Sequence, residues 1–164
     1  MKSITLLELT ERIEYVIRNN FSEALWVRAE ISELRENRGH CYLELIEKEQ
    51  GSDNVIAKTR ATIWANTYRM LKPYFESSTG EPLRAGLNVL VAVSVEFSGV
   101  YGFSLNIRDI DPIFTIGELA ARRLEIIRQL EADGVMEMNK SLKIPPLPQR
   151  LAVITSATAA GYED

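Results

Sequence analysis

Residues 24–47, ALWVRAEISELRENRGHCYLELIE, constrain the fold most, because they alternate with a period of two on either side of a polar break. Leu25, Val27, Ala29 and Ile31 fall on one side of the first run, and Trp26, Arg28, Glu30 and Ser32 on the other. After Arg35-Glu36-Asn37-Arg38-Gly39, Cys41, Leu43 and Leu45 alternate with His40, Tyr42 and Glu44. A helix needs apolar residues every three or four positions. Strict alternation demands strands with one buried face, and the polar break makes them a hairpin. The outward side then carries large aromatics, an arginine and a histidine, a load that solvation alone does not require.

Three more strands follow the same logic. Residues 55–65 set Ala57, Thr59, Ala61 and Ile63 against Lys58, Arg60, Thr62 and Trp64. Residues 87–97 put Val89, Val91, Val93, Val95 and Phe97 on one side. After a turn at 98–102, Phe103, Leu105 and Ile107 alternate with Ser104, Asn106 and Arg108. Helices flank these strands. Thr5-Leu6-Leu7-Glu8 is a capping box opening a helix over residues 5–19, whose Leu6, Leu9, Ile13, Val16 and Ile17 should dock on the strands. Asn66 opens a shorter helix, which Pro73 should end near Lys72. Thr115-Ile116-Gly117-Glu118, a second capping box, opens a helix with Leu119, Ala120, Leu124, Ile127 and Leu130 on one stripe and a stop at Gly134.

Five strands with a helix between the third and fourth fit a mainly β chain with flanking helices: a five-stranded OB-fold Greek-key barrel, an N-terminal helix and a C-terminal linker helix. The predicted organisation is residues 1–113 for the helix and barrel, 114–148 for the linker helix and a proline-rich connector, and 149–164 for the opening of an α/β domain. That last assignment rests on a short strand read at 150–156, continuously apolar from Leu151 to Ile154, the type of strand buried on both faces of a parallel sheet. With 164 residues, 46% of them hydrophobic, the chain can build one domain of ordinary size, or one domain plus a fragment.

A net charge of -4 argues against attraction of nucleic acid by the whole surface, so binding would need a local basic face. The single cysteine, Cys41, cannot form an intrachain disulfide and suits a reducing compartment. No apolar run approaches the roughly 20 residues of a membrane span. A cytoplasmic location and no membrane partner are expected.

Single-stranded nucleic acid offers phosphates and unstacked bases, so a groove for it needs cations and flat π-surfaces. Trp26, Arg28, His40, Tyr42, Lys58, Arg60 and Trp64 supply both on one predicted sheet face. Arg28, Lys58 and Arg60 are expected to contact phosphates, and Tyr42 and Trp64 to stack on bases. The competing reading packs the tryptophans beneath the terminal helices. His40 is the only histidine and Cys41 faces the other way, which argues against a zinc site or a His/Cys nucleophilic pair. With no Walker-type glycine loop or GxGxxG either, no metal and no cofactor is expected within residues 1–164, and metal use by a longer protein stays open.

Trp26-Val27-Arg28-Ala29-Glu30-Ile31-Ser32, Gly39-His40-Cys41-Tyr42-Leu43-Glu44-Leu45, Ala61-Thr62-Ile63-Trp64, Gly99-Val100-Tyr101-Gly102-Phe103-Ser104-Leu105 and Lys143-Ile144-Pro145-Pro146-Leu147-Pro148 before Leu151-Ala152-Val153-Ile154-Thr155-Ser156 follow in order. Together they resemble the large subunit of bacterial exonuclease VII. The resemblance implies an OB-fold that binds single-stranded DNA ahead of a catalytic domain that hydrolyses phosphodiester bonds to release oligonucleotides. It implies a small helical subunit as partner. It implies a catalytic aspartate at Asp164, with the rest of the centre beyond this sequence, so that residues 1–164 alone would be inactive. Two other readings compete. In one the barrel docks a protein or assembles subunits without binding nucleic acid. In the other it is an RNA-binding module such as an anticodon reader.

Overall fold

The computed structural model describes residues 3–143, 146–147 and 152–155. In chain order the elements are α1 (Leu6–Asn20), β1 (Leu25–Asn37), β2 (His40–Lys48), β3 (Val55–Ile63), α2 (Ala65–Thr79), β4 (Asn88–Ser98), β5 (Gly102–Asp111) and α3 (Pro112–Ala132). A single 3-10 turn follows at Met138–Ser141. The strands close into a barrel in the order β1-β2-β3-β5-β4. Four pairings are antiparallel, and the closing one, β3 with β5, is parallel, with Ala61 opposite Leu105 and Thr62 opposite Asn106. This is the predicted five-stranded barrel with a helix between the third and fourth strands. By compactness the chain divides at residues 122 and 123, within α3.

β1 serves two neighbours. Leu25 through Glu30 pair with β4, and Glu30 through Asn37 pair with β2. An extra residue, Ser32, sits between Ile31 opposite Leu45 and Glu33 opposite Glu44. Such a bulge reverses which side chains point inward. Val27, Ala29 and Ile31 therefore face the core before it, and Leu34 faces it afterwards. The predicted turn at 35–39 is corrected. Strand pairing continues to Asn37, and only Arg38 and Gly39 turn, with φ of 51° and 81°. Positive φ at both central residues is the tight hairpin turn whose twist matches the strands.

The core is built from Ile31, Leu43, Ile63, Val91, Val93 and Ile107, among others, and α2 adds Tyr68, Leu71 and Phe75. Contrary to expectation, α2 continues past Pro73 to Thr79 and starts at Ala65 rather than Asn66. A proline in a helix interior costs about 3 kcal/mol. Burial of Leu71 and Phe75 on either side of it offsets that loss, at roughly 1.5–3 kcal/mol per side chain. Gly80, at φ 71°, ends the helix with its N–H donated to the Glu76 carbonyl.

The other helices depart from the pattern in instructive ways. The capping box of α1 forms as read: Glu8 N–H donates to Thr5 Oγ1 at 3.1 Å, and Thr5 N–H donates to Glu8 Oε2 at 2.8 Å. Yet no residue of α1 is buried, and Leu6, Leu9, Ile13 and Val16 remain exposed beside β4. The second capping box does not form. α3 starts three residues earlier, at Pro112, where a missing N–H costs nothing. Asp111 Oδ1 accepts the Ile113 N–H at 2.9 Å. Thr115, inside the helix, is buried and donates to the Asn88 carbonyl at 2.9 Å. In the proposed α/β opening, residues 152–155 carry no regular element, while 148–151 and 156–164, including Asp164, lie outside the described residues.

A polar plug fixes α2 to the barrel. Glu36, turned inward by the bulge, accepts from Tyr68 Oη at 2.6 Å and from Lys72 Nζ at 2.7 Å. The Lys72 bond first, and the Tyr68 bond next, hold the Glu36 carboxyl below the usual carboxylate range. Burial and the Glu36 bond push the Tyr68 phenol well up, and burial pushes the neighbouring Cys41 thiol up to about 11.

Two outcomes test this packing. Phe75→Ala should lower unfolding free energy by about 3–5 kcal/mol in urea denaturation. Glu36 stabilises the fold above its unfolded pKa, and that contribution disappears as pH falls through its lower folded value. Glu36→Gln should therefore flatten the fall in urea midpoint between neutral and acid pH. The change will be modest, because the Glu36 side chain is 48% exposed.

Candidate nucleic-acid interface

The barrel register arranges the outer face of β1, β2 and β3 into rows. Arg35 lies opposite Tyr42, Tyr42 opposite Thr62, and Thr62 opposite Asn106. One step along, Glu33 lies opposite Glu44 and Glu44 opposite Arg60. The next β2 residue beyond the Cys41–Ile63 pair is His40, which brings its ring beside Trp64. Thus Arg35, Tyr42 and Arg60 project together from three strands, with Trp64 just past the end of β3. They line a groove of about 810 Å³ that Phe97 and Tyr101 close from the β4–β5 hairpin.

The aromatics in this groove are available for contact. Tyr42 is 41% exposed, Trp64 43% and Tyr101 77%. Trp26 is 55% exposed, so neither tryptophan is packed beneath a helix. His40 links two of these rings. It meets Trp64 edge-on at 5.2 Å between centroids and Tyr42 at 6.3 Å.

The charges are already engaged with one another. Lys58 Nζ lies 2.8 Å from Glu44 Oε1, and Ser32 Oγ donates to Glu44 Oε2 at 3.0 Å. Those bonds, Lys58 foremost, keep the Glu44 carboxyl below its ordinary range. Arg35 reaches Glu33 at 3.4 Å, and Arg60 Nη2 donates to the Tyr101 carbonyl at 3.2 Å. Glu96, also lining the groove, accepts from Asn106 Nδ2 at 2.7 Å. Asn106 is 3% exposed, and its Oδ1 has no partner.

The seven residues expected on one face are divided by the structure. Tyr42, Arg60 and Trp64 line the groove, and His40 sits behind Trp64. Lys58 stands two residues down β3, held on Glu44. Trp26 and Arg28 belong to the half of β1 that pairs with β4, opposite Ala92 and Leu90, and do not line the groove. The single-face expectation is corrected for these two, because the Ser32 bulge separates the halves of β1. Arg35, Phe97 and Tyr101 line the groove without having been singled out. Arg35 was hidden in a supposed turn, Tyr101 in a loop and Phe97 on an apolar stripe. The glycines around Tyr101 were the one available signal of an exposed hairpin tip. Among the described residues no cluster of His, Cys, Asp and Glu could hold a metal ion.

Residues 4–111 match a family model described as an OB-fold nucleic acid binding domain. The chain is also similar to three proteins named exodeoxyribonuclease 7 large subunit. It is 43% identical to that of Deinococcus radiodurans over 96% of this chain and 39% of the relative. It is 33% identical to that of Geotalea uraniireducens over 98% of this chain and 33% of the relative. It is 27% identical to that of Rhodopirellula baltica over 99% of this chain and 33% of the relative. The chain therefore spans between a third and two-fifths of the length of these relatives, and the resemblance read from its motifs is supported along almost all of it. The matched residues run from the start of α1 to the end of β5, the whole closed barrel with its groove, and the chain belongs to the family of OB-fold nucleic-acid-binding domains.

Proposed function

We propose that the groove between β1–β3 and the β4–β5 hairpin captures single-stranded DNA for an exodeoxyribonuclease large subunit. The observation that carries this reading is the set of exposed rings, Tyr42, Trp64 and Tyr101, lining one groove beside Arg35 and Arg60. Unstacked bases gain about 1–3 kcal/mol each on such platforms. The groove occupies the strand face and hairpin loop that OB-folds use for oligonucleotides. In this reading the chain holds the strand, and phosphodiester hydrolysis belongs to a further domain to which Asp164 contributes. Residues 1–164 would bind without cutting. A small helical subunit is the proposed partner of the longer protein, and the cytoplasm its proposed location. No helix among the described residues is long and apolar enough to cross a membrane.

One observation favours a second reading, docking of a protein. Glu33, Glu44 and Glu96 line the groove against only two arginines. A cationic peptide would suit that balance, whereas DNA must rely on stacking.

Fluorescence titration with oligo-dT separates the two. Tyr42→Ala and Trp64→Ala should each weaken binding by about 1–3 kcal/mol. Trp26→Ala and Arg28→Ala, outside the groove, should leave it unchanged. With Arg35 and Arg60 as the two arginines lining the groove, the log–log salt slope should be shallow, about −1.4 from two contacts at roughly −0.7 each. Equal binding by the parent and the Tyr42 and Trp64 variants, or none by the parent, would sink the DNA reading and leave protein docking.

A further inference from the structure

We propose that His40 is a positioning residue that holds Trp64 in the groove by capping α2, and not a ligand for DNA. The inference rests on the reading of Trp64 as a stacking platform. Trp64 is the N-cap residue of α2, but its indole cannot accept a hydrogen bond from the first turn, and no side-chain cap of its own is made. A helix start leaves several N–H groups without partners. Here His40 supplies the missing acceptor: the Ala65 N–H donates to His40 Nδ1 at 3.0 Å. The cap comes from a residue 25 positions away in sequence, on the neighbouring strand.

The local chain is shaped to deliver it. The turn at Arg38 and Gly39 brings β2 against α2, with the Gly39 Cα hydrogen side facing Ala65 closely enough that an added Cβ would lie 3.6 Å from the Ala65 Cβ. His40 then has one ring nitrogen on the Ala65 amide and its ring 5.2 Å from the Trp64 indole, at 88° between planes. Accepting at Nδ1 places the proton of the neutral ring on Nε2. The backbone at Trp64 is extended, at φ -69° and ψ 151°, and the next residue is helical. The indole direction is therefore set at the junction that the His40 bond secures. Without that bond the first turn of α2 frays, and Trp64 loses its fixed place at the groove wall. His40 itself is half-buried and is not among the residues lining the groove.

The test compares His40→Ala, His40→Leu and His40→Asn. The Asn Oδ1 occupies nearly the place of the His Nδ1, so this variant keeps the acceptor while removing most of the ring. Alanine and leucine remove the acceptor, and leucine still fills the space. Amide exchange at Ala65, the NMR resonance of the Trp64 indole N–H and oligo-dT affinity are read for each. With the cap lost, Ala65 exchange should quicken and the Trp64 resonance should move. If the turn is then ordered a tenth of the time, affinity falls about tenfold. His40→Asn should return Ala65 exchange and affinity close to the parent. Should the alanine variant fail to fold, His40→Leu takes its place in each comparison. Unchanged Ala65 exchange and Trp64 resonance without the acceptor would overturn the inference. So would a His40→Asn protein that protects Ala65 yet binds as weakly as His40→Ala, since the ring would then be the DNA contact. If the parent binds no oligo-dT, the DNA reading fails by itself, and the exchange and resonance data still decide whether His40 positions Trp64.

Discussion

β1 is shared between two neighbours, and the sharing turns on Ile31 and Ser32. The Ile31 N–H donates to the Leu87 carbonyl at 3.0 Å, and its own carbonyl accepts from the Gly86 N–H at 2.7 Å. One residue later the ladder belongs wholly to β2. The bulge bends β1 so that its two halves run along different parts of the barrel wall. Ser32 is the residue left over, and its hydroxyl is satisfied by the backbone carbonyl and carboxylate of Glu44 at 3.2 and 3.0 Å. Everything beyond it in β1 is displaced by one position. Arg35 comes to the outer face beside Tyr42, and Glu36 comes to the inner one beneath α2.

That displacement also marks where the sequence stops being readable. Alternation announces strands because each residue in a strand flips sides, and it located all five. It carries no record of an inserted residue, so it gives the two faces of β1 as far as Ile31 and not beyond. Arg38 illustrates a different limit. Arginine at positive φ is uncommon, and the hairpin turn here lacks the Asn-Gly or Asp-Gly pair that would have declared it. Pro73 and Thr115 misled for a shared reason. Local preference ends a helix at one and begins a helix at the other, while burial of Phe75 and of Thr115 in the assembled fold overrules both. The aromatic and basic residues of the groove were legible as types. Their grouping was not, because it depends on strand register.

Electrostatics in the groove follow from the same register. Placing Glu44 between Glu33 and Arg60 across three strands sets acid among the cations and leaves each cation bonded within the protein. A phosphate approaching Arg60 competes with the Tyr101 carbonyl, and one approaching Arg35 competes with Glu33. Such exchanges yield little net free energy, as is usual for exposed ion pairs. The rings make no comparable compromise. Tyr42, Trp64 and Tyr101 are exposed at a cost in unburied apolar area that any flat, apolar occupant would recover.

α2 ties the inner and outer faces of the barrel together. Its body is anchored from inside, through Phe75 in the core and Tyr68 on Glu36. Its first residue is anchored from outside, through the Ala65 N–H on His40. Glu36 is the immediate neighbour of Arg35, and His40 is two residues from Tyr42, so both anchors come from the strands that carry the groove. A change that loosens either anchor of α2 consequently reaches Trp64, the one groove aromatic that stands where a strand gives way to a helix. Stability of the barrel plug and geometry of the groove are in this way a single problem, solved by the residues on either side of the turn at Arg38 and Gly39.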